Sequence, residues 1–273
     1  MNASINDGGV SNQRVPAVGS GDDIRIGSHA VTDPNPAVRI VRIDQPHARN
    51  AVNSATAQRL HDEFIAFEAD DTQKVAILTG DETAFCAGAN LRDLPALRPS
   101  GPLGPTRLQL SRPVIAAIEG WCVAGGIELA AWCDLRVAGT SARFGCLERR
   151  WGVPLIDGGT YRLPQIVGLG RALDLILTGR EFGSEEAERI GFVNRVVADG
   201  DALAAAVELA EQLASFPWTG LVNDRHCVYY GLGRDLETAL AYEDRMGRET
   251  IFAEGFADGV AQFERRERPV PGT

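Results

Sequence analysis

The residues of this chain best suited to chemistry fall in the run Gly120-Trp121-Cys122-Val123-Ala124-Gly125-Gly126-Ile127-Glu128-Leu129-Ala130-Ala131. It follows an apolar, β-branched stretch over 113–118 that reads as a buried strand ending in a turn, and it runs on into helix-forming residues. A glycine pair at such a junction lets the backbone approach a ligand closely, and the first N–H groups of a helix have no partner inside it. With the helix dipole behind them, those donors suit a developing negative charge. Taken alone, Gly125 and Gly126 serve equally well as the small residues that tight helix packing needs. Three acids nearby in the chain could supply proton chemistry: Glu128, Glu148 twenty residues later, and Asp157.

A second stretch, Val75-Ala76-Ile77-Leu78-Thr79-Gly80, followed by Ala84-Phe85-Cys86-Ala87-Gly88-Ala89-Asn90, has the same grammar of strand, turn and small-residue loop. The two together resemble the crotonase (enoyl-CoA hydratase/isomerase) superfamily, whose members bind acyl-CoA thioesters and stabilise a thioester enolate with two backbone N–H groups. The resemblance implies that the two donors are Ala89 and Gly125. It covers the chain from about Val38 to the C-terminal tail and includes both halves of the oxyanion hole in order. The family usually has Asp at the position of Asn90. Asn90 is read as a helix N-cap, a role that Asn and Asp fill almost equally.

In the family's hydratases one glutamate sits just after the second set of oxyanion glycines and another four residues after the Phe of a Phe-Gly pair. Glu128 and Glu148 occupy both positions, the latter after Phe144-Gly145. Adding water across an α,β-unsaturated thioester needs a base for the attacking water and an acid for Cα. Two carboxyls in a partly dehydrated pocket repel as anions, which keeps one protonated and splits their titrations. Without the resemblance, Glu128 reads as a carboxylate favoured by its helix dipole and Glu148 as a surface acid beside Arg149 and Arg150. Asp157 falls where relatives that isomerise dienoyl thioesters or dehalogenate aryl ones keep a catalytic aspartate. Its other reading is the cap of a helix beginning near Gly158. The run Arg149-Arg150-Trp151 departs from the apolar residues usual after the second glutamate.

The segment Asp44-Gln45-Pro46-His47-Ala48-Arg49-Asn50-Ala51 resembles the family's loop against the adenine and pantetheine of CoA. Arg49, Arg42, Ala51 and Ala87 are accordingly expected CoA contacts, and the closing Phe263-Glu264-Arg265-Arg266 resembles an aromatic-plus-basic tail that reaches a phosphate. For each arginine a solvated surface position is the competing reading. CoA belongs to the substrate, so no separate cofactor is expected.

The elements that must position these groups can be read along the chain. Residues 1–22 read as a disordered leader, with strands over 24–26 and 37–43. A helix should run from Asn53 or Ser54 to about Asp70 with Leu60, Phe64, Ile65 and Phe67 inward. The stretch over 94–105 is too rich in Pro and Gly for regular structure; in the resembling family it covers the acyl pocket. A strand over 133–138 follows the second donor turn. Helices are expected over 158–167, kinked or broken at Pro164, over 171–178 and over 184–190 with Ser184 as cap. An extended segment over 192–197 precedes helices over 202–215, 219–230 and 236–251. The resemblance implies an α/β, crotonase-like spiral of ββα units over 23–200 and a C-terminal helical trimerisation region over 201–273. Trimers, or dimers of trimers, are the expected assembly.

Composition narrows the classes. With 44% hydrophobic residues the 273-residue chain is ordinary globular protein. A net charge of −10 argues against nucleic acid as a partner, since such sites need clustered Lys and Arg. Five scattered cysteines fit reduced thiols, and the four isolated histidines give no metal-ligand spacing. The sequence contains neither a secretory h-region nor an eighteen-residue apolar span, so a cytoplasmic protein away from membranes is expected.

Overall fold

The structure, a computed structural model, describes residues 35–265. The expected leader over 1–22, the strand over 24–26 and Arg266 lie outside them.

Strand β1 (Val38–Arg42) leads through a 3-10 turn at Pro46–Ala48 to helix α1 (Ser54–Ala69), whose first turn is capped by Asn53, its side chain accepting from the Thr56 N–H at 2.9 Å. Leu60, Phe64 and Phe67 are fully buried as the helical period requires. Ile65 is not; at 46% exposure it sits on the outer face, one residue off the stripe that Phe64 and Phe67 define.

Three strand pairs then repeat one arrangement. Strands β2 (Val75–Thr79) and β3 (Ala84–Cys86) are followed by β4 (Val114–Ile118), β5 (Trp121–Val123) and helix α2 (Gly125–Trp132). Next come β6 (Leu135–Gly139), β7 (Arg143–Gly145), a 3-10 turn at Leu147–Trp151, and helix α3 (Gly159–Val167), which runs through Pro164. The chain continues with α4 (Leu169–Thr178), β8 (Glu181–Gly183), α5 (Ser184–Arg189), β9 (Arg195–Val197) and α6 (Ala202–Ser215). It ends in α7 (Trp218–Gly231), α8 (Leu236–Ile251) and α9 (Glu254–Glu264), the last unforeseen in the sequence.

The first strand of each pair enters a five-stranded parallel sheet ordered β1-β2-β4-β6-β9, and the second enters a four-stranded sheet ordered β3-β5-β7-β8, antiparallel only at β7-β8. Because β2 and β4 are buried on both faces, they read as continuous apolar runs. Their side chains alternate between two cores. Ala76, Leu78, Ala116 and Ile118 face a large core containing Phe64, Phe85, Phe144, Phe182 and Phe192. Val75, Ile77, Ile115 and Ala117 pack against Leu203, Ala206, Leu209 and Ala210 of α6.

Two expected caps are absent for physical reasons. Ser184 does not cap α5; its hydroxyl is buried and donates to the Gly139 carbonyl at 2.6 Å, tying the helix to β6. At Asn90 no helix begins: its Oδ1 accepts from the Arg92 N–H at 3.0 Å in a tight turn, and the Pro-rich stretch that follows stays irregular.

Candidate active site

The loop of Ala89, the first expected donor, is held by the segment just before α1. Arg49 and Asn50 both adopt left-handed backbone, with φ of 51° and 56°. That turn aims the wholly buried Asn50 side chain inward, where Oδ1 accepts from the Gln45 N–H at 2.8 Å and Nδ2 donates to Asp81 Oδ2 at 2.9 Å and to the Ala84 carbonyl at 2.7 Å. The backbone of the segment then pins the loop after β3. The Ala87 N–H donates to the Arg49 carbonyl at 3.1 Å, the Val52 N–H to the Gly88 carbonyl at 2.8 Å, and the Asn90 N–H to the Val52 carbonyl at 2.8 Å. Between these bonds the Ala89 N–H finds no protein acceptor among the described residues.

Gly125, the second expected donor, opens α2. Ala124, a non-glycine residue at φ 52° and ψ −128°, turns the chain from β5 into the helix. Such a conformation costs of order 1–3 kcal/mol and persists only where the surroundings fix it; here the Ala124 N–H donates to the Gly145 carbonyl at 2.8 Å. Gly125 follows with its N–H unclaimed among the described residues, as the first donors of a helix are. The loops approach so closely that a Cβ on Gly88 would lie 2.8 Å from the Gly125 nitrogen. Gly126 is the packing glycine of the pair: a Cβ there would lie 2.1 Å from the Cys86 carbonyl.

One turn further on is Glu128, 2% exposed, whose Oε1 accepts from the N–H groups of Asp157 at 2.9 Å and Gly159 at 2.8 Å. Burial pushes this carboxyl up to about 8, opposed by the Gly159 and Asp157 N–H bonds and reinforced by the charges of Asp157 and Glu148. Glu148 follows β7, which Phe144 anchors by stacking on Phe182 at 5.4 Å and meeting Phe192 edge-on at 5.6 Å. It is no surface acid: it is 4% exposed, and neither carboxylate oxygen has a hydrogen-bond partner among the described residues. Burial raises its pKa as well, with the Arg149 charge opposing. A buried carboxyl without partners is costly and needs an explanation other than stability.

Asp157 is 3% exposed and does not cap α3, whose N-cap is Gly158. Its Oδ1 instead accepts from the Leu103 N–H at 3.1 Å and from the Thr106 hydroxyl, and burial raises its pKa. Glu128, Glu148 and Asp157 are thus buried close to one another, with the half-buried Gly125 opening the helix that carries Glu128 and the half-buried Ala89 on the loop that meets it. Arg49 is exposed, Arg42 is directed to the Gly80 carbonyl, and Arg265 ends α9 in the helical region. Sequence reasoning missed Asn50, Leu103, Thr106, Gly159 and Arg162 as site residues, because their roles rest on contacts between distant segments. Among the described residues no three His, Cys, Asp or Glu side chains group as metal ligands, and no helix is long and apolar enough to cross a membrane. An apolar cavity of about 290 Å³ between the C-terminal helices, lined by Pro217, Thr250, Phe256, Val260 and Phe263 among others, involves none of the residues around the carboxyl pair.

The family model described as enoyl-CoA hydratase/isomerase matches residues 33–270. The short-chain-enoyl-CoA hydratase of Clostridium acetobutylicum is 35% identical over 241 residues, covering 85% of this chain and 92% of that protein. The mevalonyl-coenzyme A hydratase sidH of Aspergillus fumigatus is 32% identical over 250 residues, covering 88% of this chain and 93% of its own. The crystal structure of an enoyl-CoA hydratase from Mycobacterium tuberculosis superposes with a TM-score of 0.81 at 33% identity, covering 89% of this chain and 97% of that one.

Proposed function

The chain belongs to the enoyl-CoA hydratase/isomerase family, and on that premise we propose that it adds water across the double bond of a 2-enoyl-CoA thioester. The observation that carries the reading is the buried pair Glu128 and Glu148, coupled in charge and set beside two unclaimed backbone donors. The thioester oxygen accepts from the N–H groups of Ala89 and Gly125, which stabilise the negative charge that develops as water attacks Cβ. Such a donor is typically worth about 3–4 kcal/mol in the transition state. The carboxyl pair holds one proton between its members at neutral pH. The ionised member takes a proton from the attacking water and the protonated member gives one to Cα, so hydroxyl and hydrogen are added and the pair ends with one proton, as it began.

An isomerase using Asp157 with Glu148 is the nearest alternative, and a non-catalytic acyl-CoA-binding protein that keeps the fold is another. The engagement of Asp157 Oδ1 with Leu103 and Thr106 supports neither a free base nor a proton shuttle there. CoA itself would meet the exposed Arg49, the Ala51 and Ala87 backbone, and the basic tail at Arg265 and Arg266. Assembly into trimers is part of the same reading. Helix α8 buries no residue, and Leu240 and Phe252 stand 50% and 88% exposed, apolar surface that a second copy would cover.

The test follows the loss of conjugated thioester absorbance with crotonyl-CoA and longer 2-enoyl-CoAs, with the product identified by mass. A gain of one water is expected. Measurable binding of these thioesters with no hydration, or conversion of 3-enoyl or dienoyl substrates without water uptake, would replace this reading with one of the alternatives.

A further inference from the structure

Asp157 is used from both ends. Its main-chain N–H holds Glu128 Oε1 at 2.9 Å, while its carboxylate holds the irregular segment before β4 through the Leu103 N–H at 3.1 Å and the Thr106 hydroxyl. Arg162 doubles the tie, donating to the Asp157 carbonyl at 3.0 Å and to the Thr106 carbonyl at 2.7 Å. The segment so held is not a surface connector, for residues 101–106 are all buried. Its glycines are fitted: at Gly101, φ is 100° and a Cβ would lie 2.0 Å from Thr106 Oγ1 and 2.9 Å from Asp157 Oδ1. At Gly104 a Cβ would lie 2.4 Å from the Ala57 carbonyl of α1.

Within this segment Leu103 is 1% exposed and rests on the second donor glycine, where a Cβ on Gly125 would come within 2.5 Å of Leu103 Cδ1. An acyl group whose thioester oxygen sits on the Gly125 N–H, with its reacting carbons toward Glu128, therefore meets the Leu103 isobutyl group early.

We propose that Leu103 is the specificity-determining wall of the acyl pocket, that Asp157 is the positioning residue that fixes it, and that together they restrict the site to short acyl chains. The proposal rests on the assignment of Ala89 and Gly125 as thioester donors but not on which reaction follows. A long chain must displace Leu103, and that side chain is tethered through its own backbone to a buried carboxylate. The Asp157 side chain acts through Leu103 and touches no reacting atom.

Saturated acyl-CoAs have no double bond to hydrate, so they report the pocket without turnover. Calorimetric titration compares butyryl-CoA with decanoyl-CoA for the full-length wild type, Leu103→Ala, Leu103→Val, Asp157→Ala and Asp157→Asn, each checked for a cooperative unfolding transition. The wild type is expected to favour butyryl-CoA. Leu103→Ala should shift the affinity ratio toward decanoyl-CoA by about tenfold or more, the worth of a few additional buried methylenes. Leu103→Val, which disturbs folding least, should shift it less in the same direction. Asp157→Ala should shift it too, whereas Asp157→Asn keeps an acceptor for the Leu103 N–H and the Thr106 hydroxyl and should retain the wild-type ratio. An unchanged ratio in both Leu103 variants, or a wild type that binds decanoyl-CoA as tightly as butyryl-CoA, overturns the proposal. Equal shifts in Asp157→Asn and Asp157→Ala overturn the positioning role. A shifted ratio in a protein that hydrates nothing leaves the pocket assignment standing and removes the hydratase reading alone; no binding of either thioester removes both.

Discussion

The Gly159 N–H, at the start of α3, donates to Glu128 Oε1 on α2 at 2.8 Å, and a Cβ added to Gly159 would lie 2.9 Å from both Cγ and Oε1 of that glutamate. Glycine is needed here for close approach and not for backbone freedom, because Gly159 has ordinary helical geometry. Gly159→Ala should therefore push Glu128 out of place while leaving α3 intact. The expected result is a fall in kcat of roughly tenfold to a hundredfold, since small displacements of catalytic groups are that costly, with a stability loss of about 1–3 kcal/mol from overpacking. Steady-state kinetics beside urea denaturation separate the two effects, and unchanged kcat would mean that Glu128 is not held for catalysis.

Glu128 also makes a prediction about pH. Its carboxyl is raised from 4.5 to about 8 in the folded chain, by burial above all. A raised carboxyl binds its proton more tightly when folded, so its contribution to stability is fully present below the unfolded value. That contribution is lost as pH rises through the window from 4.5 to about 8. Relative to Glu128→Gln, whose amide oxygen still accepts from Asp157 and Gly159, the wild type should lose on the order of a few kcal/mol across that window. Urea denaturation of both proteins at several pH values measures the difference, and a flat difference would contradict the raised titration. In kcat/KM, the basic limb of the pH profile should fall near the same value of about 8 as the pair gives up its last proton.

These residues also show what a sequence can and cannot reveal. The apolar strands, the capped start of α1 and the span of α8 follow from local pattern, because period and cap residue act within a few positions. The free N–H groups at Ala89 and Gly125 fall where the two loop motifs led one to expect them, although the bonds that hold those loops come from Val52 and Gly145 in other segments. Contacts between segments were not legible. Asp157 and Ser184 both stand at helix starts with side chains suited to capping, yet each is drawn to a partner more than forty residues away, Thr106 and Gly139. The same limit explains Glu148, which local sequence places beside two arginines and the fold buries without a hydrogen-bond partner among the described residues. For α9 the residues Glu254–Glu264 include two glycines, which lowers helix propensity; its packing on α7 and α8 restores it.

Glu148 is predicted to trade stability for activity. Both carboxylate oxygens are buried and unpartnered among the described residues, so the side chain contributes little to the folded state and its charge opposes it. Glu148→Gln should lower hydration turnover by about a hundredfold to ten-thousandfold, the usual worth of a positioned acid or base. The same variant should unfold at an equal or higher temperature above neutral pH, where a buried carboxylate is most costly. Kinetics and thermal unfolding on one preparation test both halves. A variant that is both inactive and markedly less stable would assign Glu148 a structural role instead.

Gly88 tests the geometry of the two donors together. Its φ of 90° is one that L side chains rarely adopt, and a Cβ there would lie 2.8 Å from the Gly125 nitrogen and 2.9 Å from the Ala124 Cβ. The obstacle is backbone and a rigid methyl, so no side chain can swing aside. Gly88→Ala should separate the Ala89 loop from the start of α2, costing about 1–3 kcal/mol in stability. If Ala89 and Gly125 hold one thioester oxygen together, as proposed, turnover should fall by roughly a hundredfold or more. The contrast is Gly170, where an added Cβ meets nothing within 4 Å among the described residues. Gly170→Ala lies inside α4, and should leave turnover unchanged and stability equal or slightly raised by about 0.4–1 kcal/mol. Comparable losses in both variants would show that Gly88 matters only as a glycine in a folded chain. A loss confined to Gly88→Ala ties catalysis to the spacing between Ala89 and Gly125.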